Sequence, residues 1–272
     1  MKEVRQLIHS IAQYLERIRE ARPLVHHITN YVTVNDCANI TLQTGGLPVM
    51  ADAIEEVEEM QQISNVLVLN IGTLNPELIR SMITAGQKAN SLGNPVVLDP
   101  VGVGATSLRT QKAREILANV KVDIIKGNLA ELGVLLGLEA TVRGVEAGEV
   151  TGDIVAAARD FVGKHQITIA ITGEQDMVFS SNNTALISNG HAMMGKISGT
   201  GCMCSSVLGS FAAVSGDMFQ AAVGALTCFG IAGEMAALTG PSGPMAYKTA
   251  LMDCVYALNK DLIHKYARVK AL

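Results

Sequence analysis

The stretch Ser198-Gly199-Thr200-Gly201-Cys202-Met203-Cys204-Ser205-Ser206 combines glycines, hydroxyls and thiols in one short run. An apolar, small-residue segment from Val207 to Ala213 follows it. The pattern predicts a tight turn that opens a buried helix, because glycine accepts backbone angles that a Cβ forbids. The first amides of such a helix have no intrahelical acceptor. With the positive end of the helix dipole they form a site for an anion, most often a phosphate. Gly199, Thr200 and Gly201 are the expected anion-hole residues. Cys202 falls in the first turn, where a thiolate is favoured and the pKa drops below the free value of about 8.5. An ionisable group at the lip of an anion site is placed to deprotonate a nucleophile. The competing reading is a Gly-rich helix cap followed by a core helix with two buried cysteines.

Further candidates stand just after apolar runs. Asn70-Ile71-Gly72-Thr73 follows Val66–Leu69, and Asp99-Pro100-Val101-Gly102-Val103-Gly104 follows Val96–Leu98. Lys126-Gly127-Asn128-Leu129-Ala130-Glu131 follows Ile124–Ile125, and Thr172-Gly173-Glu174 follows Ile169–Ile171. Polar groups and glycines thus recur at what would be one edge of a sheet. Asp99 and Glu131 supply two carboxylates on adjacent loops, and Mg²⁺ takes such oxygen ligands, often through water, when it also binds substrate phosphates. Asp99 could instead be a turn former and Glu131 a dipole partner in a first helical turn. Lys126 is able to meet a nucleotide phosphate as a point charge, or to snorkel at the surface. Thr172 and Gly173 meet a nucleotide by hydroxyl and backbone, or simply end a strand. His26-His27 lacks metal-ligand spacing and reads as strand-end packing.

The elements that must position these groups follow from periodicity. Val4, Leu7, Ile8, Ile11, Leu15 and Ile18 predict a helix over residues 3–20. Leu24–Ile28 is a short strand, with a helix at about 35–44 and an acidic helix from Ile54 to Gln62. Strands are expected at Val66–Asn70, Pro95–Asp99, Val122–Lys126 and Ile167–Thr172, with helices from Pro76 to Leu92 and over 110–119, 129–136 and 152–164. Continuously apolar strands alternating with helices indicate an α/β fold, a mainly parallel central sheet with helices on both faces. Met177–Phe179 and Thr184–Ser188 form a hairpin, and helices finish the chain. The 272 residues read as one domain, 1–272.

Composition narrows the function classes. A net charge of −4 argues against nucleic acid. Five scattered cysteines without ligand spacing argue against zinc and for reduced thiols in a cytoplasmic protein. Met218 to Leu238 has membrane length but contains Gln220 and Glu234 and is rich in Ala and Gly, so a buried helix is expected and no membrane partner. The chain lacks the Gly-x4-Gly-Lys-Ser/Thr motif of P-loop proteins.

Ser198-Gly199-Thr200-Gly201-Cys202 after an α/β sheet resembles the anion-hole turn of ribokinase-like kinases. Further segments sharpen the likeness: Ile28-Thr29-Asn30 with Val32 and Asn35, Pro48-Val49-Met50, Leu69 to Leu74, Leu98 to Thr106, Gly127-Asn128-x-x-Glu131, and Ile171 to Glu174. Together they are similar to hydroxyethylthiazole kinases along nearly the whole chain. The resemblance implies a ribokinase-like domain that moves the γ-phosphate of ATP onto the hydroxyl of 4-methyl-5-(2-hydroxyethyl)thiazole in thiamine biosynthesis or salvage. It implies Met50, Gly199 and Asn30 at the thiazole, and Lys126, Thr172, Gly173 and Asn128 at ATP. It also implies Asp99 and Glu131 at Mg²⁺, Cys202 as the catalytic residue, and a homotrimer with the thiazole pocket between subunits. Lys126 stands where arginine also occurs in the family, and Thr200 adds a hydroxyl at the anion hole. A hydroxymethylpyrimidine kinase shares Gly-Thr-Gly-Cys but carries a Gly-rich Asp segment where Pro23 to Asn30 stand here. A nucleotide-dependent hydratase of the same fold carries Asp in place of Cys202.

Overall fold

Apolar runs become central strands where helices cover both of their faces. The computed structural model describes residues 2–140 and 150–272. In chain order the elements are α1 (Lys2–Ala21), β1 (Leu24–Ile28), α2 (Val34–Thr44), β2 (Leu47–Val49), α3 (Val57–Ile63), β3 (Val66–Asn70), α4 (Pro76–Leu92) and β4 (Val96–Asp99). Then come α5 (Ser107–Asn119), β5 (Ile124–Asn128), α6 (Leu129–Leu135), β6 (Glu139–Ala140), β7 (Val150–Thr151), α7 (Ile154–His165) and β8 (Thr168–Thr172). The chain closes with β9 (Asp176–Phe179), β10 (Thr184–Ile187), a 3₁₀ turn (Ala192–Lys196), α8 (Thr200–Val214), α9 (Met218–Leu238), α10 (Pro244–Ala257), α11 (Lys260–Tyr266) and β11 (Val269–Ala271).

Nine strands form one sheet in the order β11-β10-β9-β8-β5-β4-β3-β1-β2. Pairing is parallel from β2 through β8 and antiparallel from β8 to β11. Alternate residues of a strand point to opposite faces. Val66 and Val68 accordingly join the layer built by α1, α2, α8, α9, α10 and α11. Leu67 and Leu69 join the layer built by α3 to α7. α8 lies so close to the sheet that a Cβ on Gly209 would come within 2.4 Å of Val68 Cγ2. The membrane-length stretch Met218–Leu238 is α9, and 78% of its apolar window is buried inside the protein.

The α/β expectation holds, with local corrections, among them α3, which begins at Val57 rather than Ile54. Pro48-Val49, where no strand is expected, belongs to β2, a short edge strand that extends the sheet beside β1. The chain ends in β11 rather than in helices, and that strand pairs with β10. α5 begins at Ser107 instead of residue 110, because the Thr106 side chain accepts the Arg109 amide as its N-cap. β5 starts and ends two residues later than its apolar run suggests, which places Lys126 inside the strand. His26 and His27 are buried in β1, as strand packing predicts. The His26 ring meets Ala51 O at 2.6 Å and Gln61 Nε2 at 2.7 Å.

Candidate active site

Asn30 follows β1, Asn70 and Asp99 end β3 and β4, Lys126 to Asn128 end β5, and Thr172 ends β8. All stand at the carboxyl edge of neighbouring parallel strands, where open α/β sheets bind ligands. The start of α8 lies against this edge. Gly199, its N-cap, has φ 91°, and a Cβ there would approach Thr33 Cγ2 to 2.5 Å. Both facts require glycine. The bond from Met203 N to Gly199 O opens the helix. The Thr200, Gly201 and Cys202 amides precede that bond, and no side chain among the described residues caps the helix. They are the donors that an anion would find. The Thr200 hydroxyl is not among them: it donates to Met194 O at 3.0 Å and ties the turn to the preceding 3₁₀ segment.

Beside these amides, Cys202 Sγ accepts hydrogen bonds from Asn30 Nδ2 and Asn70 Nδ2, both at 3.3 Å. The apolar run before Asn70 places it at this edge, but no local pattern gives it a role, because its partners lie on other elements. Burial, and next the charge of Asp99, push the Cys202 thiol above its ordinary value, against the donors around it. This overturns the expectation of a lowered pKa at the helix start. The dipole argument omits the cost of burial, which disfavours the charged form. Cys204, on another side of α8, is buried, and burial pushes it up to about 12.

Beneath the turn lies a charged cluster. Asp99 Oδ2 accepts from Ser205 Oγ at 2.6 Å, Asn70 Nδ2 at 3.1 Å and Lys126 Nζ at 3.4 Å. Lys126 also donates to Gly201 O at 3.0 Å. It is therefore a buried support of the α8 turn, neither a snorkelling surface lysine nor a side chain free at the edge. Burial pulls its ammonium down, but Asp99, Cys204 and Glu131 outweigh that and hold it above the ordinary lysine range. Ser205 had no sequence signal, since it only meets Asp99 once α8 is docked.

Glu131 and Asn128 form a reciprocal capping box at the start of α6. Glu131 Oε2 accepts the Asn128 amide at 2.9 Å and Oε1 accepts Gly102 N at 2.8 Å. Burial, and then Asp99, raise the Glu131 pKa. Glu131→Gln would thus do more than remove charge, because its NH₂ must face one of two N–H donors. The expected result is a loss of about 1–3 kcal/mol in stability, read as a lowered urea midpoint.

The remaining candidates are looser. Thr172 Oγ1 donates to Gly127 O at 3.3 Å, and Gly173 N donates to Asp176 Oδ1 at 2.9 Å. Both sit at the β5–β8 end of the edge. Met50 follows β2 at the opposite end and is half-buried, with no hydrogen bond joining its segment to the Cys202 cluster.

Comparison with known proteins settles the family. The model of the hydroxyethylthiazole kinase family matches residues 15–261. The chain belongs to that family. It is 49% identical over 259 residues to hydroxyethylthiazole kinase of Thermoanaerobacter pseudethanolicus, covering 95% of this chain and 98% of that protein. The relative of the same name in Methanocella arvoryzae is 48% identical over 261 residues, covering 96% and 98%. The structure of the hydroxyethylthiazole kinase protein from Pyrococcus horikoshii OT3 superposes with a TM-score of 0.87 at 39% identity, covering 97% of this chain and 99% of that one. A ribokinase-like superfamily protein from Enterococcus faecalis shares the fold alone, with a TM-score of 0.61 at 11% identity and 87% of each chain covered. The hydroxyethylthiazole kinase family thus carries a ribokinase-like fold here, and the protein is an enzyme of the kinase class.

Proposed function

We propose that the protein transfers the γ-phosphoryl group of ATP to the hydroxyl of 4-methyl-5-(2-hydroxyethyl)thiazole, a step in thiamine biosynthesis or salvage. The observation that carries this reading is the juxtaposition of the free α8 amides with the Cys202 sulfur at one sheet edge. Phosphoryl transfer depends on positioning and on charge stabilisation. The amides of Thr200, Gly201 and Cys202 stabilise the transferring group. The Cys202 thiolate takes the proton from the hydroxyl as the new O–P bond forms and the bond from the γ-phosphorus to the departing ADP oxygen breaks. Asn30, Gly199 and Met50 bound the thiazole end. Thr172 and Gly173 receive the nucleotide, joined by Asn128 Nδ2, since Asn128 Oδ1 caps α6 and its backbone N–H is held by Glu131 Oε2. Lys126 acts on the phosphates through the turn it supports.

Among the described residues no three His, Cys, Asp or Glu side chains converge as a metal cage. Asp99 and Glu131 fit Mg²⁺ only through water, since Glu131 Oε1 and Oε2 are held by Gly102 N and Asn128 N and Asp99 Oδ2 by Ser205, Asn70 and Lys126. Mg²⁺ there would neutralise phosphate charge.

A coupled ADP-release assay over a panel of heterocyclic alcohols tests the reading. Turnover with the thiazole alcohol at least tenfold above that with hydroxymethylpyrimidine supports it, and turnover confined to another alcohol refutes it.

The reading extends to a cytoplasmic homotrimer with the thiazole pocket between subunits. Tyr31 and Val32, 78% and 63% exposed, and Ile54, 44% exposed, lie in the loops that follow β1 and β2. A subunit seated there would cover them and the Met50 side of the edge. Sedimentation velocity at micromolar concentration should give a trimer, and a fully active monomer would remove this part.

A further inference from the structure

Asn70 is 1% exposed and uses its whole side-chain amide. Oδ1 accepts from Gly72 N and from Asn30 Nδ2, both at 2.9 Å. Nδ2 donates to Asp99 Oδ2 and to Cys202 Sγ. The orientation of the amide is fixed twice over. A backbone N–H can only donate, so Gly72 requires the oxygen. A carboxylate can only accept, so Asp99 requires the nitrogen. Asn30 is fixed in the same way, because its Oδ1 accepts from Thr33 N and Thr33 Oγ1, both at 3.0 Å. Neither amide can turn an oxygen toward the sulfur without breaking two bonds.

The loop carrying this arrangement is clamped from outside. Arg109 donates to Ile71 O, Gly72 O and Val101 O, each at 2.9 Å, and so joins the loops after β3 and β4. The loop also meets Asn30 closely: a Cβ on Gly72 would come within 2.9 Å of Asn30 Cβ.

We infer that Asn70 is a positioning residue for the reaction, holding the Cys202 sulfur as a hydrogen-bond acceptor through its own amide and through the amide of Asn30 that it orients. Asn70 touches neither the phosphates nor the thiazole in this role. Its effect passes through Cys202, so the inference rests on the reading of Cys202 as the proton acceptor.

A kinetic double-mutant cycle tests it. A hydrogen bond to a charged group is worth roughly ten- to a hundredfold, and here it favours the thiolate that accepts the proton. Asn70→Ala should therefore lower kcat by roughly that factor in the parent while the KM for ATP stays within about twofold. In a Cys202→Ala background the same change should lower the residual kcat by less than about twofold, because the group it serves is gone. An equal loss in both backgrounds would overturn the inference and make Asn70 a structural residue or one acting through Asp99. If Cys202→Ala alone kept the parent kcat, the reading of Cys202 would fail first, and this outcome is separate from failure of the cycle. Should Asn70→Ala not fold, Asn70→Ser serves in its place, since its hydroxyl can still meet Gly72 N or Asp99 while the donor to the sulfur is lost. It should lower kcat roughly tenfold with Cys202 present and by less than about twofold in the Cys202→Ala background. Equal losses there would likewise refute the inference.

Discussion

Lys126→Met is expected to lower folding stability by about 3–5 kcal/mol and to abolish turnover. The Lys126 side chain is 4% exposed and that of Asp99 2%. Removing one partner leaves a buried charge with only neutral donors. Domains of this kind hold about 5–15 kcal/mol in total, so the change takes a large share of the margin. The loss of activity has a separate cause. Lys126 holds Gly201 O, and that carbonyl belongs to the turn whose amides face the anion. The double variant Lys126→Met with Asp99→Asn separates the two effects. It removes both charges, so most of the stability should return while turnover stays absent. Urea unfolding of the three proteins decides the matter. A Lys126→Met midpoint equal to that of the parent would show that the pair contributes nothing.

Cys202→Ala should reduce kcat by about 10²–10⁴, the usual contribution of a placed proton acceptor, with ATP binding nearly unchanged. Residual activity should persist from the amides of the turn. The pH profile adds a second expectation. Burial and Asp99 hold the thiol above its ordinary range, so at neutral pH most molecules carry the proton. Parent turnover should therefore climb from neutral into the alkaline range. A carboxylate is ionised throughout that interval, so Cys202→Asp should give a flat profile there. Cys204→Ala should leave both kcat and the profile alone, since that thiol is buried and more strongly raised. Parent-like turnover in Cys202→Ala would assign the turn to electrostatics alone.

The carboxyl edge of the sheet was legible because parallel strands covered on both faces are written as unbroken apolar runs. Val66–Leu69 and Ile169–Ile171 are such runs, and the polar residues after them fell at the edge as read. β2 and β11 have three residues each, too few to show a period. Lys126 ended a run to the eye, although its strand continues through Asn128. Its burial depends on Asp99, which lies 27 positions away. The bonds of Asn70 and Ser205 reach partners up to 132 and 106 positions away. No local pattern encodes such contacts. The thiol was misjudged for the same reason: helix position is local, and desolvation is a property of the assembled site.

The covering of the sheet by α1 bears on how the protein is made. Ile11, Leu15 and Ile18 pack with α8, α9, α10 and α11. Arg19 donates to Leu258 O at 2.6 Å, 239 positions further on. A ribosome adds about 5–20 residues per second, so α1 emerges and then waits tens of seconds for its partners. During that interval its apolar stripe is open to any cellular surface. A helix made well before its partners is among the last to be seated, and a fast-folding fusion ahead of it would hold that stripe close to a second protein throughout the wait.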